Sequence, residues 1–199
     1  NRCGHLNGQN KNTENFINWV YSDEAGAHYD NQYSKFYSRR VNNIYLPKAK
    51  FLKKVIKEKI NLVDVGCGAG HFVNALEKEK INAIGYEVSD FLVKLGNTKL
   101  KKNTLKKVGI NDLFKIIEKE NKANVISLIG VLEHFANPHD FFKAFLKSDI
   151  KYLYIGAPLF SLTTFLENVF NNVYPRHLSG DHTHLYTKKS LEYLSKKYK

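Results

Sequence analysis

The chain has 199 residues, of which 43% are hydrophobic and 25% are charged. This is the composition of an ordinary globular domain with a core of its own, and it argues against a disordered or fibrous chain. The formal net charge of +12 is compatible with a nucleic-acid partner. However, lysines are spread through nearly every segment, so a diffuse solvated surface explains the charge better and we do not expect nucleic acid to bind.

No apolar run approaches the length of a bilayer-spanning helix, so the sequence predicts no membrane association. It shows no secretory leader pattern, and its two cysteines, Cys3 and Cys67, are too few for a disulfide framework. A cytoplasmic location is therefore the simplest expectation. Because the chain begins at Asn1 and contains no methionine, we interpret it as a piece of a longer product.

Residues 1–59 are interpreted as an N-terminal helical cap. Three tyrosines recur four residues apart and so share one face of a helix: Tyr29, Tyr33 and Tyr37. Pro47 is expected to separate two helices. The tyrosines, with Arg39 or Arg40, either close over a bound ligand or belong to an amphipathic covering helix, and the second interpretation is favoured.

Residues 60–199 alternate short apolar runs with longer amphipathic ones. The runs "NLVDVG", "NAIGYEV", "ANVISLIG" and "KYLYIGAP" predict buried strands, and a short strand is expected near "LKKVG". Helices are predicted at "HFVNALEKEK", at "PHDFFKAFLKSD" and from Thr187 onward. This alternation predicts an α/β fold: a Rossmann-like, doubly wound, mostly parallel sheet with truncated C-terminal strands and an N-terminal helical cap. The pattern breaks at about 158–186, which we interpret as a substrate lid.

Three glycines recur at every second position where the first strand turns into a helix: Gly66, Gly68 and Gly70. Glycine suits a tight turn that a ligand approaches closely, because a β-carbon would intrude. This spacing differs from the G-x-G-x-x-G of dinucleotide sites, and Asp64 beside it suits a cation better than a diphosphate. Glu87 ends the next strand, where a carboxylate can accept hydrogen bonds from ribose hydroxyls. S-adenosylmethionine, a nucleoside with positive groups in place of phosphates, fits both acids.

In that order and spacing, "LVDVGCGAGHF", "GYEVSD" and "VISLIGVLEHFANP" resemble the class I S-adenosylmethionine-dependent methyltransferases, of the type that modifies small molecules or sugars. The resemblance covers residues 60–157, and "HLYTKKSLEYL" extends it. It implies that residues 60–199 form an S-adenosylmethionine-binding core, with S-adenosyl-L-methionine as the cofactor and methyl transfer as the reaction.

The resemblance also implies a set of cofactor contacts: Asp64, Gly66, Cys67, Gly68, Gly70, Glu87, Val88, Asp112, Gly130 and Val131. In this interpretation the glycines approach the methionine part of the cofactor, and Asp64 orients its ammonium group. Glu87 holds the ribose, with Val88 against the adenine. Gly130 and Val131 line the cofactor from the end of the strand "ANVISLIG".

Two of these residues have a second interpretation. Asp112 matches a position that reads the adenine amino group, and it equally fits an N-cap of the helix "LFKIIEKE". Cys67 is interpreted as a small residue that fills the loop, because nothing in the sequence indicates a reactive thiol.

A hydroxyl acceptor benefits from a base, and histidine near its ordinary pKa is the usual choice. "VLEHF" supplies Glu133 and His134 at the carboxyl end of a strand, where ligands of open α/β sheets bind. "PRHLSGDHTHLY" adds candidates in the predicted lid: His177, Asp181, His182 and His184. We take His134, His182 and His184 as the candidate catalytic residues. The pair Glu133–His134 also fits a role in shaping the pocket, and His184 also fits a packing or hydrogen-bonding role.

A metal site has little support in the sequence. The spacing of His182 and His184 suits two metal ligands, but the sequence forces no third one, so we predict no metal. Two cysteines also exclude a four-thiolate zinc site.

The sequence lacks the motifs of two classes of nucleobase methyltransferase, and this restricts the kind of acceptor that we expect. Methylation of a nucleobase amino group typically uses an Asn/Asp-Pro-Pro-aromatic element, and this chain has Gly130 to Glu133 at that place; the Pro-Cys pair of cytosine C5 methylation is also missing. A small molecule is therefore expected as partner. "RCGHLNG" resembles the end of a cysteine-rich zinc segment of some sugar methyltransferases, which favours a hydroxyl of a sugar or other biosynthetic intermediate.

Three alternatives stay open. Methylation at carbon is the nearest one, with a histidine removing a proton beside a carbonyl. A nucleic-acid-directed methyltransferase or binding protein is supported only by charge, and a cofactor-binding protein without catalysis is the third. The sequence indicates no oligomeric state.

Overall fold

A computed structural model of the chain describes residues 3–7, 19, 34–162, 164, 166 and 182–198. The predictions for Tyr29, Tyr33, His177 and Asp181 lie outside the described residues. Among the helices of the described part, none combines the length and the apolar character that a bilayer crossing requires.

The helices and strands follow the predicted alternation. The strands are β1 (Leu6–Asn7), β2 (Asn61–Val65), β3 (Asn82–Glu87), β4 (Leu105–Lys107), β5 (Val125–Ile129), β6 (Tyr152–Gly156) and β7 (His184–Leu185). The α-helices are α1 (Tyr37–Arg40), α2 (Leu46–Val55), α3 (His71–Lys78), α4 (Asp90–Leu100), α5 (Ile110–Glu118), α6 (Pro138–Lys147) and α7 (Lys188–Lys197). Thr187 caps α7 through a hydrogen bond from the amide of Ser190, so the predicted helix start there is confirmed.

Five strands form one parallel sheet in the order β4-β3-β2-β5-β6. The predicted Rossmann-like α/β fold is therefore confirmed, including the short strand at "LKKVG". Two further strands, β1 and β7, form a separate antiparallel pair in which Asn7 lies opposite His184. No pattern in the sequence predicts this second pair.

Helices cover both faces of the sheet. Val63 faces a hydrophobic core that includes Phe141 of α6, and Leu62 faces a second core that includes Phe72 of α3. Because successive side chains of a strand point to opposite faces, Asp64 lies on the same face as Leu62. Its carboxyl group is thereby placed beneath the turn that leads into α3.

Pro47 does not separate two helices, contrary to the sequence prediction. The chain stays helical from Tyr37 to Val55, and a π-helical stretch, Val41–Tyr45, joins α1 to α2. Proline lacks an amide hydrogen and clashes with the preceding turn of an α-helix. It is accommodated here because it lies in the first turn of α2, directly after a wider π-helical turn.

Candidate active site

The backbone between β2 and α3 turns through three glycines with left-handed geometry: φ is +64° at Gly66, +53° at Gly68 and +72° at Gly70. An L-residue pays about 1–2 kcal/mol for this conformation. Space is also limiting at Gly66, where an added β-carbon would lie 2.4 Å from Cγ2 of Val131. The amides of Gly66 and Cys67 both donate to one carbonyl of β3, at 2.8 and 3.1 Å, and tie the loop to the sheet.

Glu87 ends β3 with its carboxylate turned toward the glycine loop. Its Oε2 accepts a hydrogen bond from the amide of Gly68 at 2.8 Å, and Oε1 accepts from the amides of Val88 and Ser89 at 2.8 and 3.2 Å. Three of about four acceptor positions of the carboxylate are thus filled, and the open one is on Oε2. Burial raises the pKa of Glu87, and the three amide donors oppose that shift.

Asp64 is buried in β2 next to Ser127 of β5, whose hydroxyl donates to Oδ1 at 2.7 Å. Burial raises the pKa of Asp64 to about 7; the bond from Ser127 opposes this shift and the charge of Glu87 adds to it. Ser127 is a site residue that the sequence analysis missed. Its signal is a polar residue in the middle of the buried strand "VISLI", in register with Asp64.

The chemistry of these two acids fits S-adenosylmethionine. Within the described residues, neither Asp64 nor Glu87 has a lysine or arginine among the groups that shift its pKa. Burial disfavours the ionised form of both carboxyls, and a positive ligand offsets that cost. A ligand with an ammonium and a sulfonium group supplies such charge, and a ribose hydroxyl can donate to the open position on Oε2.

Cys67 and Val88 flank this acid pair. Cys67 is buried, and its Sγ occupies the space above Gly85, where an added β-carbon would lie 2.5 Å from the sulfur. Burial raises the pKa of the Cys67 thiol well above its ordinary value, which suits a packing residue and not a nucleophile. Val88 is half-buried directly after Glu87.

Gly130 and Val131 follow β5 on the other side of the loop. Gly130 has a left-handed φ of +68°, and its amide donates to the carbonyl of Gly156 at 2.7 Å. The side chain of Val131 packs against Gly66. The end of β5 therefore touches the glycine loop directly.

Asp112 does not cap a helix, so that interpretation is wrong. Helix α5 is capped by Gly109, and Asp112 lies in its first turn. The helix begins earlier than predicted, and its first residue, Ile110, packs against the core. Asp112 is exposed, and its Oδ1 accepts a hydrogen bond from Lys115 at 3.1 Å.

The structure brings together Glu133, His134 and His182, which we call the acceptor cluster. Each side chain offers one ligand-type atom, and these atoms all lie within 4.8 Å of one another. The rings of His134 and His182 meet edge to face, with centroids 4.6 Å apart. Glu133 and His134 belong to a 3-10 turn that starts directly after Val131, so the cluster adjoins the cofactor loop.

Thr183 fixes the segment that carries His182, and sequence reasoning missed this residue. Its amide and its Oγ1 donate to the carbonyl of Glu133 at 2.9 and 3.1 Å. These two bonds hold the segment that carries His182 against the 3-10 turn. No pattern in the sequence indicates this contact, because the two segments are 50 residues apart.

His184, the third catalytic candidate, lies in a different environment. Its Nδ1 is 3.1 Å from Nε2 of His5 and 3.1 Å from Oδ1 of Asn7. Burial lowers the pKa of His184, and the nearby His5 lowers it further. These contacts belong to the β1–β7 pair and do not include His134 or His182.

The helices α1 and α2 pack on the start of α3. Tyr37 is buried, its ring stacks on that of His71 at a centroid distance of 4.4 Å, and its hydroxyl donates to the carbonyl of Gly70 at 3.4 Å. Burial raises the pKa of Tyr37 to about 12. Arg39 is exposed and Arg40 is half-buried. Tyr37 thus packs as a covering residue behind the glycine loop.

Comparison with known proteins identifies the family. A family profile described as "Methyltransferase domain" matches residues 29–198, while no curated protein matches the chain. Among solved structures, a SAM-dependent methyltransferase from Archaeoglobus fulgidus shares 18% identity and a TM-score of 0.57, over 83% of this chain and 73% of that one.

Two further solved structures share the fold. Magnesium protoporphyrin IX methyltransferase (ChlM) from Synechocystis PCC 6803, with bound SAH, shares 13% identity and a TM-score of 0.56, over 88% of each chain. The plantazolicin methyltransferase BamL, in complex with a triazolic desmethylPZN analog and SAH, shares 18% identity and a TM-score of 0.61, over 92% of this chain and 71% of that one. With the family profile matching most of its length, the chain belongs to the methyltransferase-domain family and is a class I S-adenosylmethionine-dependent methyltransferase.

Proposed function

We propose that this enzyme methylates a hydroxyl group of a small molecule, with a sugar or another biosynthetic intermediate as the acceptor. The observation that carries the proposal is the acceptor cluster of Glu133, His134 and His182. It begins two residues after Val131, whose side chain packs against Gly66 of the cofactor loop. A hydroxyl is the acceptor that gains most from such a group, because its proton must be removed.

The cofactor is proposed to lie across the ends of β2 and β3. Asp64 orients its ammonium group, Glu87 accepts a hydrogen bond from its ribose, and Val88 lies against the adenine. When bound, S-adenosylmethionine supplies a methyl group to the acceptor oxygen, while its sulfur keeps the electron pair of the broken S–C bond and becomes a thioether. Because Glu87 has one open acceptor position, gripping both ribose hydroxyls requires one of its amide bonds to be exchanged.

The chain itself contributes alignment and proton removal. Alignment of the reacting groups is worth about 7–11 kcal/mol when it is good. A neutral imidazole of His134 or His182 accepts the hydroxyl proton, and the buried carboxylate of Glu133 beside them favours the resulting imidazolium. His184, which contacts His5 and Asn7, is proposed as a packing residue.

The first described residues support a carbohydrate-type acceptor. Residues 3–7 include most of the motif that resembles a sugar methyltransferase segment. They pair with the segment that follows His182 in the chain, because Asn7 lies opposite His184 and the carbonyl of Cys3 accepts a hydrogen bond from Thr187 at 2.6 Å.

A panel of acceptors tests this proposal. Purified protein with labelled S-adenosylmethionine is offered monosaccharides, sugar nucleotides and phenols, with RNA and duplex DNA as competing substrates. We expect label in an alkali-stable ether of a small hydroxyl compound. His134→Gln should lower kcat about 10²–10⁴-fold, whereas His139→Gln, which removes an imidazole outside the cluster, should not. A methyl group found on carbon or only on nucleic acid, or no turnover with any compound, would refute the proposal.

A further inference from the structure

We infer that Glu133, His134 and His182 form a binding site for one divalent transition-metal ion. The inference deepens the proposed function, since it rests on the same cluster, but ion binding itself requires no acceptor. The sequence predicts no metal because it forces no third ligand beside His182 and His184, and in the structure His184 does not belong to the cluster. The fold supplies two, Glu133 and His134, from a turn 48 residues away in the chain.

The spacing of the ligand atoms is close to that of a metal site. The three atoms lie within 4.8 Å of one another. Nitrogen and oxygen ligands bind zinc at about 2.1 Å, so neighbouring ligand atoms of one ion lie about 3.0–3.4 Å apart. Atoms at the outer limit of 4.8 Å must approach one another by about 1.4 Å when an ion binds.

The surroundings restrict where these side chains can go. Glu133 is 2% exposed, and its neighbour His134 donates its amide to the carbonyl of Val131 at 3.0 Å. Thr183 donates two hydrogen bonds to the carbonyl of Glu133 and so holds His182 in place. Two backbone segments thus present their ligands from fixed positions, which lowers the entropic cost of gathering them around an ion.

The kind of ligand selects the kind of ion. Two imidazoles and one carboxylate are the protein ligands of many catalytic zinc sites, and they also suit other divalent transition metals such as Fe²⁺. Mg²⁺ and Ca²⁺ prefer oxygen ligands throughout, so they fit this cluster poorly. Three protein ligands also leave at least one coordination position open.

The open position gives the ion a role in the proposed reaction. An acceptor hydroxyl that binds there loses its proton more readily, because a divalent ion lowers the pKa of an oxygen ligand. The proton passes to solvent water, and the oxygen keeps the electron pair with which it attacks. His134 and His182 then act as neutral ligands, whereas without an ion one of them is the base.

Direct titration tests the inference without any acceptor. The full chain is treated with a chelator, saturated with S-adenosylhomocysteine and titrated with Co²⁺, whose visible absorption reports its ligands. We expect one equivalent to bind, and His134→Gln and His182→Gln each to weaken binding at least tenfold. His139→Gln is the matched control and should bind as the parent does. Retained thermal stabilisation by S-adenosylhomocysteine shows that each variant is folded.

Two results would overturn the inference: no saturable binding of one Co²⁺ per chain, or unchanged affinity in both histidine variants. Activity assays distinguish a failure of the metal inference from a failure of the proposed function. A hydroxyl compound methylated equally fast after chelation would refute the role of the ion in the reaction and leave the hydroxyl acceptor standing. Stoichiometric ion binding with no hydroxyl substrate in the panel would refute the proposed acceptor alone.

Discussion

The carboxylate of Glu87 and the amide of Gly68 are joined by a 2.8 Å hydrogen bond that bridges the end of β3 and the glycine loop. The same carboxylate is proposed to hold the ribose of the cofactor. One side chain therefore shapes the loop before the ligand arrives and then contacts the ligand. A loop that is formed in advance loses less conformational entropy on binding.

Glu87→Ala should abolish cofactor binding and also destabilise the chain. It removes the partner of three amides, and a buried donor left without its acceptor costs about 1–3 kcal/mol. Thermal shift measures both effects, since S-adenosylhomocysteine at 100 times its Kd should stabilise the parent by about 2.7 kcal/mol. Glu87→Gln keeps one acceptor oxygen and should retain part of the shift. The exposed Glu192→Ala is the control, and an undiminished shift in Glu87→Ala would contradict the assignment.

Asp64 should make the ligand-free enzyme less stable as the pH rises. Its folded-state pKa of about 7 lies above the ordinary value of 3.8, so the folded chain holds a proton that the unfolded chain has lost. The stability that this proton contributes is fully present below about pH 4 and is lost as the pH rises to about 7, by at most about 1.4 kcal/mol per unit.

Asp64→Asn should flatten this dependence and weaken the binding of S-adenosylhomocysteine at least tenfold, because the carboxylate proposed to orient the ammonium is gone. Urea unfolding at pH 5 and pH 8 measures the first effect and calorimetry the second. The exposed Asp149→Asn should change neither quantity. Parallel pH profiles for the parent and Asp64→Asn would show that Asp64 is not the titrating group.

Gly66→Ala should destabilise the enzyme by about 2–5 kcal/mol, as the sum of left-handed strain and overpacking. The added β-carbon meets Cγ2 of Val131. Gly109→Ala is the matched control, because Gly109 has a φ of −69° and no atom within 4 Å of the added carbon.

A double-mutant cycle separates the two costs at Gly66. The variant Gly66→Ala with Val131→Ala removes the overlap and leaves the backbone strain, so it should be less destabilised than the two single changes together. Denaturant unfolding gives the free energies. If the free energies of unfolding lost in the two single variants add up to the loss in the double variant, the side chain of Val131 does not contact residue 66 in solution.

Thr183 should act as a positioning residue for the acceptor cluster. Thr183→Val removes the hydroxyl bonds to the carbonyls of Glu133 and Phe135 and should cost about 1 kcal/mol of stability. It should also lower kcat with little change in the KM for the cofactor. Thr183→Ser restores the donor and should restore kcat. Failure of serine to rescue would mean that the methyl group of Thr183, and not its hydroxyl, matters.

The central sheet was predictable from local patterns. The strand "NLVDV" is buried on both faces of the sheet from Leu62 to Val65, and its buried residues are apolar except for Asp64. The turn at Gly66, Gly68 and Gly70 was predictable for a different reason, since left-handed backbone geometry favours glycine over every other residue. Glu87 followed from its place at the end of the adjacent strand.

The rest depended on pairing that a linear sequence does not specify. Ser127 reaches Asp64 only because β5 lies beside β2 in one particular register. His182 meets His134 through a contact held by Thr183, and the two-residue strands β1 and β7 are too short to give a periodic signal. The start of α5 was predicted three residues too late, because the helix is capped by Gly109 and not by Asp112.

The pairing of β1 with β7 places residues near the two ends of the described chain in one antiparallel sheet. His5 and His184 are in contact although 179 positions separate them. Deleting residues 1–7 would remove the pairing partner of β7, which begins at His184, two residues after His182. Glu87 and the glycine loop belong to the five-stranded sheet and do not depend on this pairing. We expect the shortened protein to bind S-adenosylhomocysteine with the affinity of the parent but to have a lower kcat. An affinity tag that disturbs residues 3–7 should lower kcat in the same way.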